Sequence, residues 1–495
     1  MIVEQSCLPL LTILSSVLAI PLIVATGEKN PNLREAWSVI AGAVKFVTVV
    51  LILNKVLAGM VLECEIFRIL PGVSLKFKAD HLSVLFALGA SFLWIITTFY
   101  SIGYMRGHGE KKQTRYYSCF AGALSSTMGI AFSANLFTMF LFYEILTVIT
   151  YPLVAHHETP EAKAGARKYA IYLIGAAKIF LVLAIVITYN MAGTLEFQRG
   201  GIFPSEVVDQ NKGILSALLL MYFYGFAKGA AMPLHGWLPA AMVAPTPVSA
   251  LLHAVAVVKS GVFTIVRTLL YVFGEDTLLK LYTTEVALFI VAFTITVGSI
   301  IALTRDNLKA RLAYSTVSHL SYILLGTLLL SKDGLIGGII HISNHAFAKM
   351  TLFFCAGSIY VCAHKTEVSQ LDGIAKKLPI TMAAFTIGAL GMVGIPIVGG
   401  FITKWYLLLG ALEANKIWVV WVLLISSILN AAYFFPIVYK AYFKEFKEDH
   451  HGHHGHHEIK ENVFMAATLA ITAVISVLMG FYPDLIIKLA MEVAK

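Results

Sequence analysis

Charge is what this sequence lacks. Of its 495 residues only 13% are Asp, Glu, Lys or Arg, while 58% are apolar or aromatic. Globular chains carry about a quarter charged residues and about half apolar ones. So few charges cannot build a polar shell, and the mean hydropathy of +0.80 agrees. Lipid solvates such a chain, which excludes a soluble Rossmann enzyme, a secreted disulfide scaffold and a nucleic-acid binder. Cysteine is also scarce. Cys7, Cys64, Cys119, Cys355 and Cys362 include no C-x-x-C pair, so neither a zinc site nor a disulfide framework is expected. There is no G-x-G-x-x-G, Walker A or H-E-x-x-H motif, nor a cysteine run for an iron–sulfur cluster. The chain is therefore expected to hold no cofactor and to take its energy from an ion gradient or from partner subunits. The first residues lack a basic n-region and an A-x-A site, so they read as a first span rather than a cleaved signal.

Long apolar windows are what the sequence has instead. About fourteen windows of roughly twenty residues follow one another with short polar breaks, which predicts an all-α polytopic membrane protein. Those at 213–239 and 379–410 are interrupted by Gly and Pro, and the last runs over 463–489. Only 59–80 reads otherwise: Val73 to Lys78 has strand character and is expected in a hairpin outside the membrane. Counted by loop, roughly nineteen Lys and Arg lie on one side and roughly nine, Arg267 among them, on the other. The positive-inside rule then places both termini outside the cell membrane. Lys45 and Lys55, near span ends, are expected to snorkel to the headgroups.

The charges left inside the spans are functional candidates, because an unpaired charge in hydrocarbon costs several kcal/mol. Glu144 lies mid-span in LFYEILTVITYPLVAH; it reads either as a neutral, hydrogen-bonded carboxyl or as a proton acceptor tuned by a nearby cation. Lys228 stands just before a Gly/Pro-rich break that contains His235, with His253 and Lys259 on the following helix. A discontinuous helix beside a lysine is the pattern transporters use at an ion site. The theme returns in the second half. His341, His345 and Lys349 repeat every four residues on one helix face, and a second break at Gly394–Gly400 precedes Lys404. His319 could bridge the halves, and Lys178 either joins the path or only pairs with a neighbour. Two broken helices with one lysine each imply an internal inverted repeat. A loop of six histidines (His450, His451, His453, His454, His456 and His457) reads as a flexible connector or as a weak metal site.

These residues also carry a resemblance. ADHLSVLF, AKGAAMPLHGWLPAAMVAPTPVSALLHA, NLKARLAYSTVSHLSYI, HISNHAFAKMTLFFCAG and GFITKWY resemble the antiporter-like proton-conducting family. That family is shared by the large membrane subunits of respiratory NADH dehydrogenase, membrane-bound hydrogenases and Mrp-type cation/proton antiporters. The second half looks more like the Mrp-type antiporters and their hydrogenase relatives than like the NADH dehydrogenase subunits. The resemblance implies fourteen helices, with helices 4–8 and 9–13 as inverted five-helix repeats. It divides the chain into 1–113 (helices 1–3), 114–275, 276–447, and 448–495 with the His-rich loop and helix 14. It also implies roles for Glu144, Lys228, Lys259, Lys349 and Lys404, with His253, His341 and His345 at positions often filled by histidine. The expected function is proton translocation, in one reading in exchange for sodium, within a complex of several membrane subunits. Glu144 and Lys228 would form a gating charge pair. The alternatives are the pumping subunit of a redox complex and the membrane subunit of an inorganic-carbon uptake system.

Overall fold

The computed structural model describes residues 2–446 and 459–495. Among these residues, ten helices are long and apolar enough to cross a membrane. They begin with α1 (Leu8–Thr26), α2 (Pro31–Leu57) and α3 (His81–Gly107). Then come α5 (Leu136–Val154), α6 (Pro160–Ala192), α8 (Thr246–Phe273), α9 (Tyr282–Leu303) and α11 (Lys332–Ala363). The last two are α13 (Ile417–Phe443) and α14 (Val463–Phe481). Four further helices are richer in polar residues or shorter: α4 (Gln113–Ala131), α7 (Lys212–Gly225), α10 (Leu308–Leu328) and α12 (Pro379–Val393). This is the expected all-α polytopic architecture, with ten apolar candidate spans among the described residues.

The two interruptions fall where Gly and Pro predict them. Beyond α7 the chain makes short helical turns over Ala227–Gly229, Trp237–Ala240 and Ala241–Val243 before α8. Beyond α12 it passes through Gly394, at φ 85°, and resumes as Gly399–Glu413. Gly261 on α8 is what lets the first break pack tightly. A Cβ there would lie 2.2 Å from the Gly229 nitrogen and from the Lys228 carbonyl carbon.

Outside the spans, β1 (Ile2–Gln5) pairs in parallel with β2 (Met60–Leu70), which pairs antiparallel with β3 (Val73–Ala79). This contains the hairpin expected from Val73 to Lys78. Opposite charges face each other across it, Glu63 with Lys78 and Glu65 with Lys76, the cross-strand pairing that fixes a register. The sheet also brings Cys7 Sγ to 3.0 Å from Cys64 Sγ, a pair that sequence spacing did not announce.

Burial orders the bundle. Across the most apolar window of α8 every residue is buried, and most of α11 is buried too, so these two helices form the centre. Side chains such as Ile171, Phe289, Trp421 and Ile428 are exposed on the outer helices, as lipid-facing residues should be.

Three sequence expectations are corrected. Lys45 does not snorkel: it is fully buried, donates to Ser16 Oγ at 2.6 Å and lies 5.4 Å from the Trp94 ring. Lys55 does reach the rim, where it pairs with Glu4 at 2.5 Å. Arg267 is not a loop residue but a buried member of α8, ion-paired with Asp80 at the N-cap of α3. The final span stops at Phe481 rather than 489, because Tyr482 and Pro483 break the helix before α15 (Asp484–Ala494).

Candidate ion-translocation site

Several candidate side chains are held by a local departure from regular helix or by a polar neighbour. Lys178 and His253 both sit in wide turns closed by i→i+5 hydrogen bonds, Ala177–Leu181 and Leu251–Val255. Such turns inside α-helices free a carbonyl and recur at functional sites. Lys228 is buried completely beside the first break. Its ammonium donates to the Tyr143 carbonyl and to Thr147 Oγ1, each at 2.7 Å, and lies 3.1 Å from the centre of the Tyr143 ring. Trp237 Nε1 closes the same break by donating to the Ala227 carbonyl at 3.0 Å. In the second break the Lys404 ammonium donates to the Val393 carbonyl at 2.7 Å and to Ser427 Oγ at 2.8 Å. There the lysine satisfies a carbonyl that the interruption itself exposes.

The expected Glu144–Lys228 ion pair is not what the structure shows. Glu144 pairs instead with Lys178 on α6, at 3.2 Å. The reason is helical geometry: Tyr143 and Glu144 are adjacent on α5 and point about 100° apart. Lys228 takes the Tyr143 and Thr147 side of that helix, while Glu144 faces α6. Lys178, whose role the sequence left open, therefore has a partner.

The three histidines of the second half converge. His319 Nδ1 and His341 Nε2 share a hydrogen bond at 3.3 Å, and His345 lies 5.7 Å from His319 and 5.6 Å from His341 between ring centres. From His319 a polar chain continues that sequence reasoning missed. Asn430 Nδ2 donates to His319 Nε2 at 3.0 Å, and the Tyr433 hydroxyl lies 2.5 Å from Asn430 Oδ1 and 2.9 Å from Ser315 Oγ. The Lys349 ammonium then donates to Ser315 Oγ at 2.8 Å and to the Leu312 carbonyl at 3.1 Å.

Lys259 lies between the halves, within electrostatic reach of Lys349 and of His319, His341 and His345. Among the described residues, the Lys259 ammonium, both nitrogens of His253 and both of His345 are buried without a protein hydrogen-bond partner. Buried polar atoms of this kind are satisfied by water. A void of about 10 Å³ lined by Leu85, Gly89, Ala254, Lys259 and Ser343 gives one water-sized space there. His235 stands apart from this axis: it is partly exposed, with its ring 6.2 Å from that of Tyr314. The six histidines from His450 to His457 lie outside the described residues.

Taken together, the broken helices and the buried lysine–histidine series define a polytopic membrane protein with a polar axis through its interior. The comparisons with known proteins place it more narrowly. Residues 133–430 match the family described as "NADH:quinone oxidoreductase/Mrp antiporter, TM", and the chain belongs to that family. It is 35% identical over 357 residues to NADH-quinone oxidoreductase subunit N of Desulforudis audaxviator, covering 72% of this chain and 70% of that protein. It spans about half the length of several longer relatives. Its fold matches a chain of the Mrp complex from Dietzia sp. DQ12-45-1b with TM-score 0.86 at 22% identity, covering 99% of this chain and 96% of that one. It also matches a chain of an archaeal membrane-bound sulfane sulfur reductase with TM-score 0.83 at 23% identity, with the same coverage.

Proposed function

We propose that this chain is the proton-translocating subunit of a multi-subunit complex in the cell membrane, with both termini outside. The observation that carries this reading is the series of ionisable groups through the bundle: the Glu144–Lys178 pair at its edge, then buried Lys228, Lys259, the His319–His341–His345 triangle, Lys349 and Lys404. No structural need accounts for so many cations in one apolar interior, because each costs free energy to bury. In this reading 114–275 and 276–447 act as inverted repeats, each with one broken helix and its lysine.

Glu144 gates the first half by exchanging partners. With its carboxylate on Lys178, the buried Lys228 lacks a counter-ion and tends to release its proton toward Lys259. With the carboxylate swung to Lys228, the ammonium is favoured and a proton is taken up. The Ser315–Tyr433–Asn430 chain then links Lys349 to His319, and Lys404 controls the far end. Lys178 is more than half exposed at the rim of the chain, where a neighbouring membrane subunit would meet it.

Two energy sources fit. Sodium exchange is one, as in Mrp-type antiporters. A redox-driven pump is the other, favoured by the likeness to subunit N of an NADH-quinone oxidoreductase. Purifying the complex separates them, since small membrane subunits alone mean antiport, and iron–sulfur or flavin subunits mean a redox pump. The transport reading itself is tested by Glu144→Gln in reconstituted vesicles. Assembly with no proton movement is expected, and full transport would overturn it.

A further inference from the structure

On the basic face of the bundle two chain segments meet around one carboxylate. Glu110, in the turn between α3 and α4, is almost wholly buried, at 7% side-chain exposure. His156 Nε2 and His157 Nδ1, from the turn after α5, lie 3.7 Å and 3.6 Å from its Oε2. His108 Nε2, at the end of α3, lies 4.0 Å from its Oε1. Glu110 Oε1 and His156 Nδ1 have no hydrogen-bond partner among the described residues, although both are buried. This is one carboxylate and three imidazoles in a single cluster, outside the axis described above.

The strong local cations are engaged elsewhere. Lys112 and Arg115 both pair with Glu158, each at 2.5 Å. Arg115 also donates to the His156 carbonyl at 3.0 Å. From α3 and α4 the hydroxyls of Tyr104 and Tyr116 lie within electrostatic reach of Glu110. From the end of α11, Tyr360 approaches His108 at 3.5 Å and His364 acts on the same imidazole. Burial pushes the Glu110 carboxyl upward. Burial also pushes the imidazoles downward, His156 to about 4 with His157 and Arg115 adding to the effect. The proton affinities of acid and base thus converge, the condition under which a proton is shared and readily passed on.

The cluster has an inward neighbour. Lys309, in the first turn of α10, donates to the Ala244 carbonyl at 2.6 Å, just before α8. It lies within electrostatic reach of His157 on one side and of His253 on the other, and His253 in turn senses Lys349. Half-exposed His157 faces water, whereas His156 is buried.

We infer that Glu110, His108, His156 and His157 form a proton-loading site that collects protons from water at the basic face and delivers them by way of Lys309 to His253. The inference rests on the proton-transport reading above. The step needs no co-reactant: a proton from hydronium or buffer binds an imidazole nitrogen, the carboxylate stabilises the cation, and the same proton leaves inward.

The test is proton uptake from the basic face of reconstituted complex as a function of pH, with assembly followed in parallel. Glu110→Gln should lose about tenfold in rate near pH 7 yet stay within about twofold near pH 4, where bulk protons are plentiful enough to load the lowered imidazoles without the carboxylate. Glu110→Asp should restore most of the rate, and His156→Gln should repeat the loss near pH 7. A uniform loss at every pH, or no change, would overturn the loading role. Infrared difference spectra supply a second readout, a carboxyl band absent in Glu110→Gln that titrates together with the imidazoles. A wild-type complex that moves no protons at any pH overturns the transport function. Normal wild-type transport with a silent Glu110 band, or with a pH-independent loss in Glu110→Gln, overturns the cluster alone.

Discussion

Glu144 lies 3.2 Å from the Lys178 ammonium, while buried Lys228 is held by the Tyr143 carbonyl and Thr147 on the neighbouring side of the same helix. In the proposed exchange one carboxylate would serve two lysines on different helices in turn. Lys178→Ala should leave Glu144 free to stay with Lys228, trapping its proton. We expect transport to fall about tenfold, the consequence of ~1.4 kcal/mol added to the barrier, with assembly unchanged. Lys228→Ala should abolish transport outright. Equal, near-normal rates in both variants, measured in vesicles, would remove the partner exchange.

The lysines were legible in the sequence because a charge within an apolar window has few bland explanations. Their partners were not. Thr147, Ser315, Asn430 and Tyr433 look like ordinary polar residues of membrane helices, where hydroxyls commonly bond their own i−4 carbonyls. Only the packing of α10 against α13 turns Ser315 and Tyr433 into a link to Lys349. Lys45 misled for a similar reason. Its place near a span end implied snorkelling, but the neighbouring Ser16 and Trp94 belong to other helices. The Glu110 cluster was invisible because each member sits in a polar turn, where a histidine or glutamate attracts no notice. Gly and Pro, by contrast, act locally, so both helix breaks could be placed from sequence alone.

Gly261 is the point where the first break rests on α8. Gly261→Ala puts a methyl 2.2 Å from backbone atoms of Lys228 and Gly229, which cannot rotate away. Overpacking of this kind costs about 1–3 kcal/mol and here displaces the lysine itself. A lowered Tm together with lost transport is expected. Gly175→Ala on α6, with none of the described residues within 4 Å of the new atom, is the control and should behave as wild type.

The Asp80–Arg267 pair ties α3 to α8 and gives a pH-dependent stability. Asp80 stands at the N-cap just outside its span. Burial alone would raise its carboxyl, but Arg267 outweighs this and holds it down at about 2. A carboxyl depressed in the folded state stabilises above its unfolded value of roughly 3.9, and that contribution disappears as pH falls through the folded value. Asp80→Asn should cost about 3–5 kcal/mol at neutral pH by leaving Arg267 buried and unpaired. The gap between Tm values of variant and wild type should narrow from about pH 4 downward. A constant gap across that range would show that the pair is not the cause. The double change Asp80→Leu, Arg267→Met should recover much of the loss.

His345 offers the sharpest test of the axis. Both its ring nitrogens are buried without a partner among the described residues, and it lies between the His319–His341 pair and the lysines at 259 and 349. Its removal opens a gap of roughly 12 Å between the Cα positions of His341 and Lys349, eight residues apart along the helix. One water bridges partners only about 3 Å away on either side, so several waters must fill that gap. His345→Ala leaves room for them, and a slowed but measurable rate is expected. His345→Phe fills the space with apolar volume and removes both the proton site and the water, so transport should stop. A histidine that served only packing would reverse the order, with Phe tolerated and Ala lowering assembly. Measuring assembly and transport in the same vesicles distinguishes these outcomes. A Phe variant that transports normally would take His345 out of the path and leave the Asn430–Tyr433–Ser315 chain as the route from His319 to Lys349.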